Sequence, residues 1–461
     1  MAGLRRDKDE DYALTIVPKN PDGTVDFASP EYRLPSAPNS VVTGDSTSWG
    51  IVVHAPEFIG NILPGHAGFS LFYNQANNFQ PQAGRIDVLG NPLPPPTGRS
   101  KDYGFLLNLL DDRLTLKVNW YRTDVTNDAL PLFGGLYALP NAEAWGYMYA
   151  MQTLANNGNG IAAMAGGYQP VSGQTAAQAK ADGIAIATAF LNPANQPPDS
   201  FFALYDIDRA GWPGFIQGGI PPGFTITGDT EAKGTEYELT AEPAAGWNIS
   251  FNASRNIAES HNLAHSIAAW IEQRWAVFNT PVPGTSLPTV IGDQRIFTPI
   301  YQPGATVIDL YRTNIWIPYL QFKAEDGADV SEMRPWRFNF VTDYTFTHGR
   351  LKGLKVGGAY RWQDREVVGY PVYPTASATS ASNQIFDLAH PYLGPVETNV
   401  DLWIGYERRI AKHLTWRLQL NVSNLFAKKD LIPVSVEPDG SMAYGRIPAP
   451  RTWTLTNSFS F

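Results

Sequence analysis

The last twelve residues of the chain, 450–461, constrain its fold more than any other stretch. From Thr452 onward, small polar residues alternate with large residues, and only Asn457 breaks the series. The large apolar side chains in this series are Trp453, Leu455, Phe459 and Phe461. A period of two residues predicts a β-strand with one polar face and one apolar face.

An edge strand of a soluble β-sandwich would show the same alternation, so this segment alone leaves two fold classes open. A chain that ends on an aromatic residue of the apolar face is more typical of an outer-membrane β-barrel, where a last strand closes the barrel. We therefore interpret four residues as a C-terminal barrel-assembly signal, which implies the barrel-assembly machinery as a partner. These residues are Trp453, Leu455, Phe459 and Phe461.

Composition restricts the function classes. The chain has 461 residues, a net charge of −9 and no cysteine. The negative charge argues against binding to nucleic acid, and the lack of cysteine excludes a disulfide scaffold and a thiolate zinc site. Mean hydropathy is −0.22, and no apolar run approaches the roughly 18 residues of a transmembrane helix. Barrel strands leave no such run, because their apolar residues alternate with polar ones.

Alternating residues recur along the chain and predict about eleven strands, preceded by a possible strand end at 3–7. In one predicted hairpin, the segment 101–110 turns at Asp111-Asp112 into the segment 114–121. The other predicted strands cover residues 48–54, 68–77, 235–241, 247–256, 337–347, 354–363, 399–407, 416–423 and 452–461.

The connections between these strands follow a rule, because short turns alternate with long loops. Counted back from Phe461, the short turns fall on the side of the C-terminus and the long loops on the other side. Outer-membrane barrels have short periplasmic turns and long extracellular loops. The polar faces carry charges at mid-strand, each of which would cost about 2–4 kcal/mol against lipid, so we expect them to line a wet lumen. The predicted fold is an all-β, antiparallel, up-and-down transmembrane β-barrel.

Three helices are predicted inside the long loops. Asn141 is a candidate cap for a helix that runs to about residue 155. Thr175 and Gln178 form the pattern of a capping box for a second helix, which ends near residue 191. A third helix is predicted over residues 262–278.

The end of the chain resembles the TonB-dependent outer-membrane receptors. Members of that family show an Asn-x-x-Asn-Leu-Phe strand end and a Pro-Arg-Thr start of a last strand that finishes in Phe. Here the corresponding segments are Asn421–Phe426, NVSNLF, and residues 450–461, PRTWTLTNSFSF. The segment Gly3–Asp7, GLRRD, is similar to another strand end of such a barrel.

This resemblance implies a barrel of 22 strands, filled by an N-terminal plug and preceded by a short box that binds TonB. The sequence shows no signal peptide, box or plug, and about half of the strands. We therefore expect residues 1–461 to be the C-terminal portion of such a receptor, in the outer membrane of a Gram-negative bacterium. TonB would act through a segment that this chain lacks. We expect the chain alone to perform no TonB-dependent uptake.

The resemblance implies active uptake of a scarce nutrient, either a siderophore or other metal chelate or an oligosaccharide. One alternative is a passive, porin-like channel that this chain forms alone with about twelve strands. A weaker third option is an adhesive or phage-contact surface made by the loops. The genomic sequence upstream of Met1 would discriminate between the first two.

Candidate ligand contacts come from lumen arginines and from loop aromatics. The arginines are Arg361, Arg365 and Arg417, and the aromatics are Trp145, Tyr147, Trp270 and Trp275. The alternative for the aromatics is that they pack the loop helices against one another. Tryptophans near strand ends are expected to form an interfacial girdle instead, since amphipathic rings favour the headgroup region. These are Trp49, Trp120, Trp247, Trp416 and Trp453.

The sequence carries no pattern that supports an enzyme, and we expect neither a cofactor nor a metal. His261 and His265 are four residues apart on a predicted helix, but no third ligand accompanies them. The glycine-rich segment 166–168 lacks the lysine and the strand–turn–helix context of a phosphate-binding loop. Glu236 and Glu238 are interpreted as solvated charges of the lumen wall.

Overall fold

A computed structural model describes residues 1–12, 18, 20–21, 24–56, 67–131, 135–158, 170, 172–296, 305–328, 333–372 and 386–461. The strands are β1 (Ala2–Asp11), β2 (Ser40–His54), β3 (Gly68–Phe79), β4 (Thr97–Leu109), β5 (Leu114–Leu130), β6 (Ile226–Ala244), β7 (Trp247–His261), β8 (Trp336–Thr345), β9 (Leu354–Gln363), β10 (Val367–Gly369), β11 (Tyr392–Leu393), β12 (Glu397–Ala411), β13 (Leu414–Ser423), β14 (Ile432–Val436), β15 (Met442–Arg446) and β16 (Thr452–Ser460). Twelve of them form one sheet, and β10–β11 and β14–β15 are separate hairpins.

The large sheet confirms the predicted up-and-down order. Its strands follow the order β1 to β9, then β12, β13 and β16, and every neighbouring pair is antiparallel. Among the described strands, β1 pairs only with β2 and β16 pairs only with β13, so the sheet is open. No helix in the described ranges is long and apolar enough to cross a membrane.

The short turns all lie at one end of the sheet. They include residues 110–113, 245–246 and 412–413. In the first of these, Asp111 and Asp112 have φ angles of 55° and 62°, which aspartate tolerates better than most residues. The long connections, among them 131–225 and 262–335, lie at the other end, which we call the long-loop end.

Several strands are longer than predicted, and the added residues lie at the long-loop end. Strand β2 begins at Ser40, β5 continues to Leu130, β6 begins at Ile226, and the strand end at 3–7 belongs to the full strand β1. The 17 residues of β5 exceed the roughly 9–11 that a tilted strand needs to cross a bilayer. Outside the hydrocarbon both faces of a strand meet water, so the apolar alternation ends although the backbone pairing continues.

Strand register brings side chains of like character together. On one face, Leu420 lies opposite Ile404 and Leu455, and on the other face Arg417 lies opposite Glu407. We call these the apolar face and the polar face. Leu455 is 66% exposed, although it belongs to a regular apolar row. Such a row is stable only against lipid or another apolar surface, which fits a strand that faces hydrocarbon.

The long loops contain most of the helices. These are α1 (Ala138–Ala155), α2 (Ala176–Leu191), α3 (Asp199–Leu204), α4 (His265–Phe278), α5 (Val307–Tyr311) and α6 (Ile317–Glu325), and a π-helical turn (Arg312–Trp316) joins the last two. The predicted capping box of α2 is confirmed, since the Thr175 hydroxyl accepts from the Gln178 amide and the Gln178 side chain accepts from the Thr175 amide.

Two predicted helix starts are wrong by about one turn. Helix α1 begins at Ala138, so Asn141 lies within it, donates to the Tyr137 carbonyl at 2.8 Å and accepts from the Gly218 amide at 2.9 Å. Helix α4 begins at His265 because Ala264 is left-handed, with φ 59°. His261 therefore ends β7 and shares no helix with His265.

The helices pack into one hydrophobic core, which we call the helical unit, and most of the buried side chains belong to it. At its centre, Glu143 and Arg274 form a two-bonded ion pair, with Arg274 Nε donating at 2.6 Å and Nη2 at 2.9 Å. Their side chains are only 1% and 3% exposed. Burial raises the pKa of Glu143, and the Arg274 guanidinium acts in the opposite direction. Burial also raises the pKa of the Tyr311 hydroxyl in the same core.

The two faces can be distinguished by labelling, because the chain has no native cysteine. We expect single cysteines at apolar-face positions to react with a probe dissolved in the lipid phase. These positions are Leu402, Ile404, Leu418, Leu420, Leu455 and Phe459. Cysteines on the polar face should react only with a water-soluble probe. These positions are Asp401, Arg417, Gln419, Asn421 and Thr454. The reverse pattern would show that the faces are exchanged.

A second prediction concerns the buried ion pair. Glu143→Gln leaves the Arg274 charge buried without a carboxylate, so the free energy of opening of the helical unit should fall by roughly 3–5 kcal/mol. Hydrogen exchange of the α4 amides measures this free energy. The control is Arg312→Gln, which removes an exposed pair with Asp309 at 2.8 Å and should change it by less than about 1 kcal/mol. Equal effects of the two substitutions would contradict the prediction.

Candidate ligand-binding site

A cavity of about 900 Å³ lies on the polar face at the long-loop end of β9 and β12. Strand β9 contributes Arg361 and β12 contributes Glu397 and Asn399, while the loops beyond these strands complete the wall. The charged residues that line the cavity are Arg361, Arg365, Lys428, Arg446, Glu397 and Asp430. A ligand that approaches from the long-loop side would reach this cavity before it reached the wall of the sheet.

Two of the cavity cations are already paired. Arg361 Nη2 donates to Asp401 at 2.6 Å and to Asn399 at 2.9 Å, across the β9–β12 ladder. Arg446 in β15 pairs with Glu397 at the start of β12. These contacts hold the β14–β15 hairpin and β9 against β12, and they orient the wall of the cavity.

The other two cations, Arg365 and Lys428, have no carboxylate partner in the part of the chain that the structure describes. Four cations and two carboxylates line the cavity within the described ranges, so the formal charge of these residues is positive. A concave surface with one dominant sign of charge concentrates ligands of the opposite sign. The cavity is therefore suited to an anionic ligand.

A buried arginine binds residues of the cavity wall. Arg334 is only 4% exposed and donates to Glu366 and Glu397, each at 2.6 Å. It also donates to the carbonyl oxygens of Asp364 and Pro395, at 2.6 and 3.3 Å. The residue thus joins both ends of the connection between β9 and β12. The sequence analysis missed it, because Arg334 lies outside every periodic segment and all its partners are distant in sequence.

The third predicted arginine lies elsewhere. Arg417 pairs with Glu407 at 2.5 Å on the polar face, near the short-turn end of β12 and β13. Asn399 and Glu407 are eight residues apart on β12, which corresponds to about 26 Å along a strand. Arg361 and Arg365 are therefore brought together in one cavity, and Arg417 is not part of it.

The predicted aromatic contacts all belong to the helical unit. Trp145 and Tyr147 pack against its core from α1. Trp270 stacks on Phe201 with ring centres 4.7 Å apart, and Trp275 stacks on Trp316 at 4.8 Å. These contacts give the aromatics a packing role, and a role in ligand binding stays a prediction.

The remaining candidates within the described ranges do not form a chemical site. Among the described residues, no group of three His, Asp or Glu side chains could hold a metal ion. His265 contacts the Thr227 hydroxyl at 3.2 Å, and His261 lies 3.6 Å from Glu259. Glu238 lies 3.6 Å from Lys117, and Glu236 accepts from Asn119 at 3.2 Å, so both are paired wall charges. The glycine-rich segment 166–168 lies outside the described residues.

No protein-family model and no curated protein sequence matches the chain. Several solved structures are similar to it in fold. The ferripyoverdine receptor of the outer membrane of Pseudomonas aeruginosa has 14% identity and a TM-score of 0.44, with 91% of this chain and 34% of the receptor covered. The ferric-catecholate import receptor Fiu of E. coli K12 has 13% identity and a TM-score of 0.42, with 100% and 42% covered.

The siderophore receptor PiuA of Acinetobacter baumannii has 12% identity and a TM-score of 0.36, with 93% of this chain and 44% of the receptor covered. The chain thus spans less than half the length of each of these three receptors. Identities this low concern the fold alone, so any functional inference must come from the chain's own residues.

The supporting role of Arg334 can be tested by substitution. Arg334→Gln leaves Glu366 and Glu397 without their shared cation, and loss of one partner from a buried pair costs roughly 3–5 kcal/mol. The amides of Asp364 and Gly394 hydrogen-bond to the carbonyls of Trp336 and Glu366. We expect these two amides to exchange with solvent roughly 100-fold faster or more.

The matched control is Arg337→Gln, which removes an exposed cation three residues further along the chain. It should leave both exchange rates within about fivefold of the unsubstituted chain. Unchanged rates in Arg334→Gln, or the same acceleration in the control, would show that Arg334 does not hold the connection in place.

Proposed function

We propose that this chain forms part of an outer-membrane receptor that binds an anionic nutrient complex on its long-loop side for uptake into the cell. The observation that carries this proposal is the positive cavity at the long-loop end of the polar face, where Arg365 and Lys428 have no carboxylate partner among the described residues. Side chains on loops that a rigid scaffold positions are the usual place for recognition.

The charges of the cavity favour an anionic metal chelate over a neutral oligosaccharide. Carboxylate and catecholate groups accept charge-assisted hydrogen bonds from arginine and lysine, which are stronger than bonds between neutral groups. A neutral sugar would cover Arg365 and Lys428 without neutralising them, and the desolvation of an unpaired charge is unfavourable. Among the described residues that line the cavity, Phe426 is the one aromatic residue, so these residues offer little flat surface for a sugar ring.

We base active uptake on the resemblance to TonB-dependent receptors, with TonB as the expected partner. The alternative, a passive channel made by these strands alone, requires β1 to pair with β16. The described strands contain no such pair. We therefore favour the receptor over the channel, and we propose that the ligand comes from the long-loop side, as the extracellular side.

Ligand charge provides the test of this proposal. The full chain in detergent micelles should bind a triply anionic ferric catecholate more tightly than a neutral ferric hydroxamate, as measured by tryptophan quenching. The double variant Arg365→Gln, Lys428→Gln should lose roughly tenfold or more in affinity for the anionic chelate, because each charged hydrogen bond contributes about 1.5–3 kcal/mol.

The control is Arg417→Gln, on the same face but near the short-turn end. It changes the net charge of the chain by one unit without touching the cavity, so the affinity should stay within about twofold of the unsubstituted chain. Equal binding of the anionic and neutral chelates, or no loss in the double variant, would contradict an anion-binding cavity.

A further inference from the structure

Cations lie at the long-loop end of the apolar face on each of four neighbouring strands, β4 to β7. The innermost cation of each strand is Lys101, Arg122, Lys233 or Arg255, and β4 carries a second one, Arg99, two residues further out. The register places Arg122 directly opposite both Lys101 and Lys233. Arg255 is one step away, because it pairs with Thr235 on β6. The four residues form a continuous group, which we call the outer cation row.

The outer cation row lies at one level of the sheet. Each cation is the ninth residue of a segment that begins at the short-turn end. On the same face these segments carry large apolar side chains or alanine, apart from Thr235 on β6. The four segments are 101–109, 114–122, 233–241 and 247–255. A strand needs about 9–11 residues to cross a bilayer, so the row lies where the strands leave the hydrocarbon on the long-loop side.

The row contains more positive charge than its own neighbours neutralise. Arg122 lies 3.0 Å from Asp124 and 2.9 Å from Glu231, and Lys233 lies 3.0 Å from Glu259. In the described part of the chain, Lys101 and Arg255 contact no carboxylate. Like charges directly opposite each other destabilise a sheet. An anion from outside the protein, bound beside these cations, would reduce their repulsion.

Other strands carry a different residue at this level. Trp336, Trp362 and Trp453 lie at the long-loop ends of the apolar rows of β8, β9 and β16. Tryptophan satisfies the general preference of a membrane interface for amphipathic rings. Arg255 borders this sector, with its guanidinium carbon 6.0 Å from the centre of the Trp336 ring. The cations are therefore confined to one sector of the sheet.

We propose that the outer cation row binds the phosphate groups of a phosphorylated glycolipid in the outer leaflet of the membrane. The proposal rests on the membrane-crossing orientation in the proposed function, since only that orientation turns the row toward lipid headgroups. Phosphates lie at this depth, and they match the fork of arginine and the point charge of lysine. An anion dissolved in water would meet the row only beside the apolar band, which lipid covers.

The test measures which lipid lies next to the protein. The full chain is inserted into vesicles of brominated phosphatidylcholine, which quench tryptophan fluorescence, and diphosphorylated lipid A is added as competitor. We expect lipid A to displace the brominated lipid at least about fivefold better than unlabelled phosphatidylcholine does. Enzymatic removal of both phosphates from lipid A should abolish this preference.

The variant Lys101→Gln, Arg255→Gln removes the two cations that have no carboxylate partner and breaks no ion pair. It should still insert, and its preference for lipid A should fall by at least about half. The matched control, Lys117→Gln with Arg337→Gln, removes two polar-face cations and should keep the preference.

Insertion without any preference for lipid A would overturn the lipid site and leave the receptor proposal intact, whereas failure of the unsubstituted chain to insert would overturn both. An equal preference for phosphatidylglycerol would also overturn the proposal, because it would show a response to any anionic lipid. The proposal would also be overturned if the protein preferred dephosphorylated lipid A as strongly as lipid A. Loss of the preference for lipid A in the control, Lys117→Gln with Arg337→Gln, would overturn it too.

Discussion

The structure depends on one constraint, the need to pair every backbone amide and carbonyl that lies in hydrocarbon. The ladders between the twelve strands meet this need by joining each strand to its neighbours in sequence order, except at the outer edges of β1 and β16, which have no partner among the described strands. Once the backbone is paired in this way, side chains must alternate between two environments. The result is an apolar face toward lipid and a polar face whose charges are paired across strands, as Lys355 is with Asp343 at 3.0 Å.

The same constraint separates the two ends of the sheet. At the short-turn end the chain only reverses, so two residues such as 245–246 suffice between β6 and β7. At the long-loop end the backbone can leave the sheet and form helices, whose buried ion pair Glu143–Arg274 belongs to a water-excluding core. The cavity and the outer cation row also lie at this end. The two features for which we propose a ligand therefore both lie at the long-loop end, where the membrane does not constrain the backbone.

The sequence predicts the parts of the structure that local rules decide. Alternation located eleven of the twelve strands of the large sheet but only residues 3–7 of β1, and the capping box at Thr175 and Gln178 located the start of α2. The sequence could not predict the extensions of β5 and β6, because the apolar rows of these strands continue there with polar residues such as Asp124 and Glu231. Short helices such as α3 are stabilised by packing rather than by their own sequence.

The candidate site was predictable only in part, for a similar reason. Arg361 follows from its position on the polar face of a predicted strand. Its association with Arg365, Lys428 and Arg446 depends on how the β9–β12 and β13–β16 connections fold, and Arg334 depends on partners about 30 to 60 residues away. Contacts between residues so far apart in the chain produce no periodic pattern in the sequence.

The claim on which the whole account depends is that these strands cross a membrane. Polarised infrared spectroscopy of the full chain in oriented bilayers measures the direction of the strands from the dichroism of the amide I band. The account predicts strands tilted by about 35–45° from the bilayer normal, as in outer-membrane barrels. Strands that lie in the plane of the membrane, or a chain that does not enter the bilayer, would contradict it.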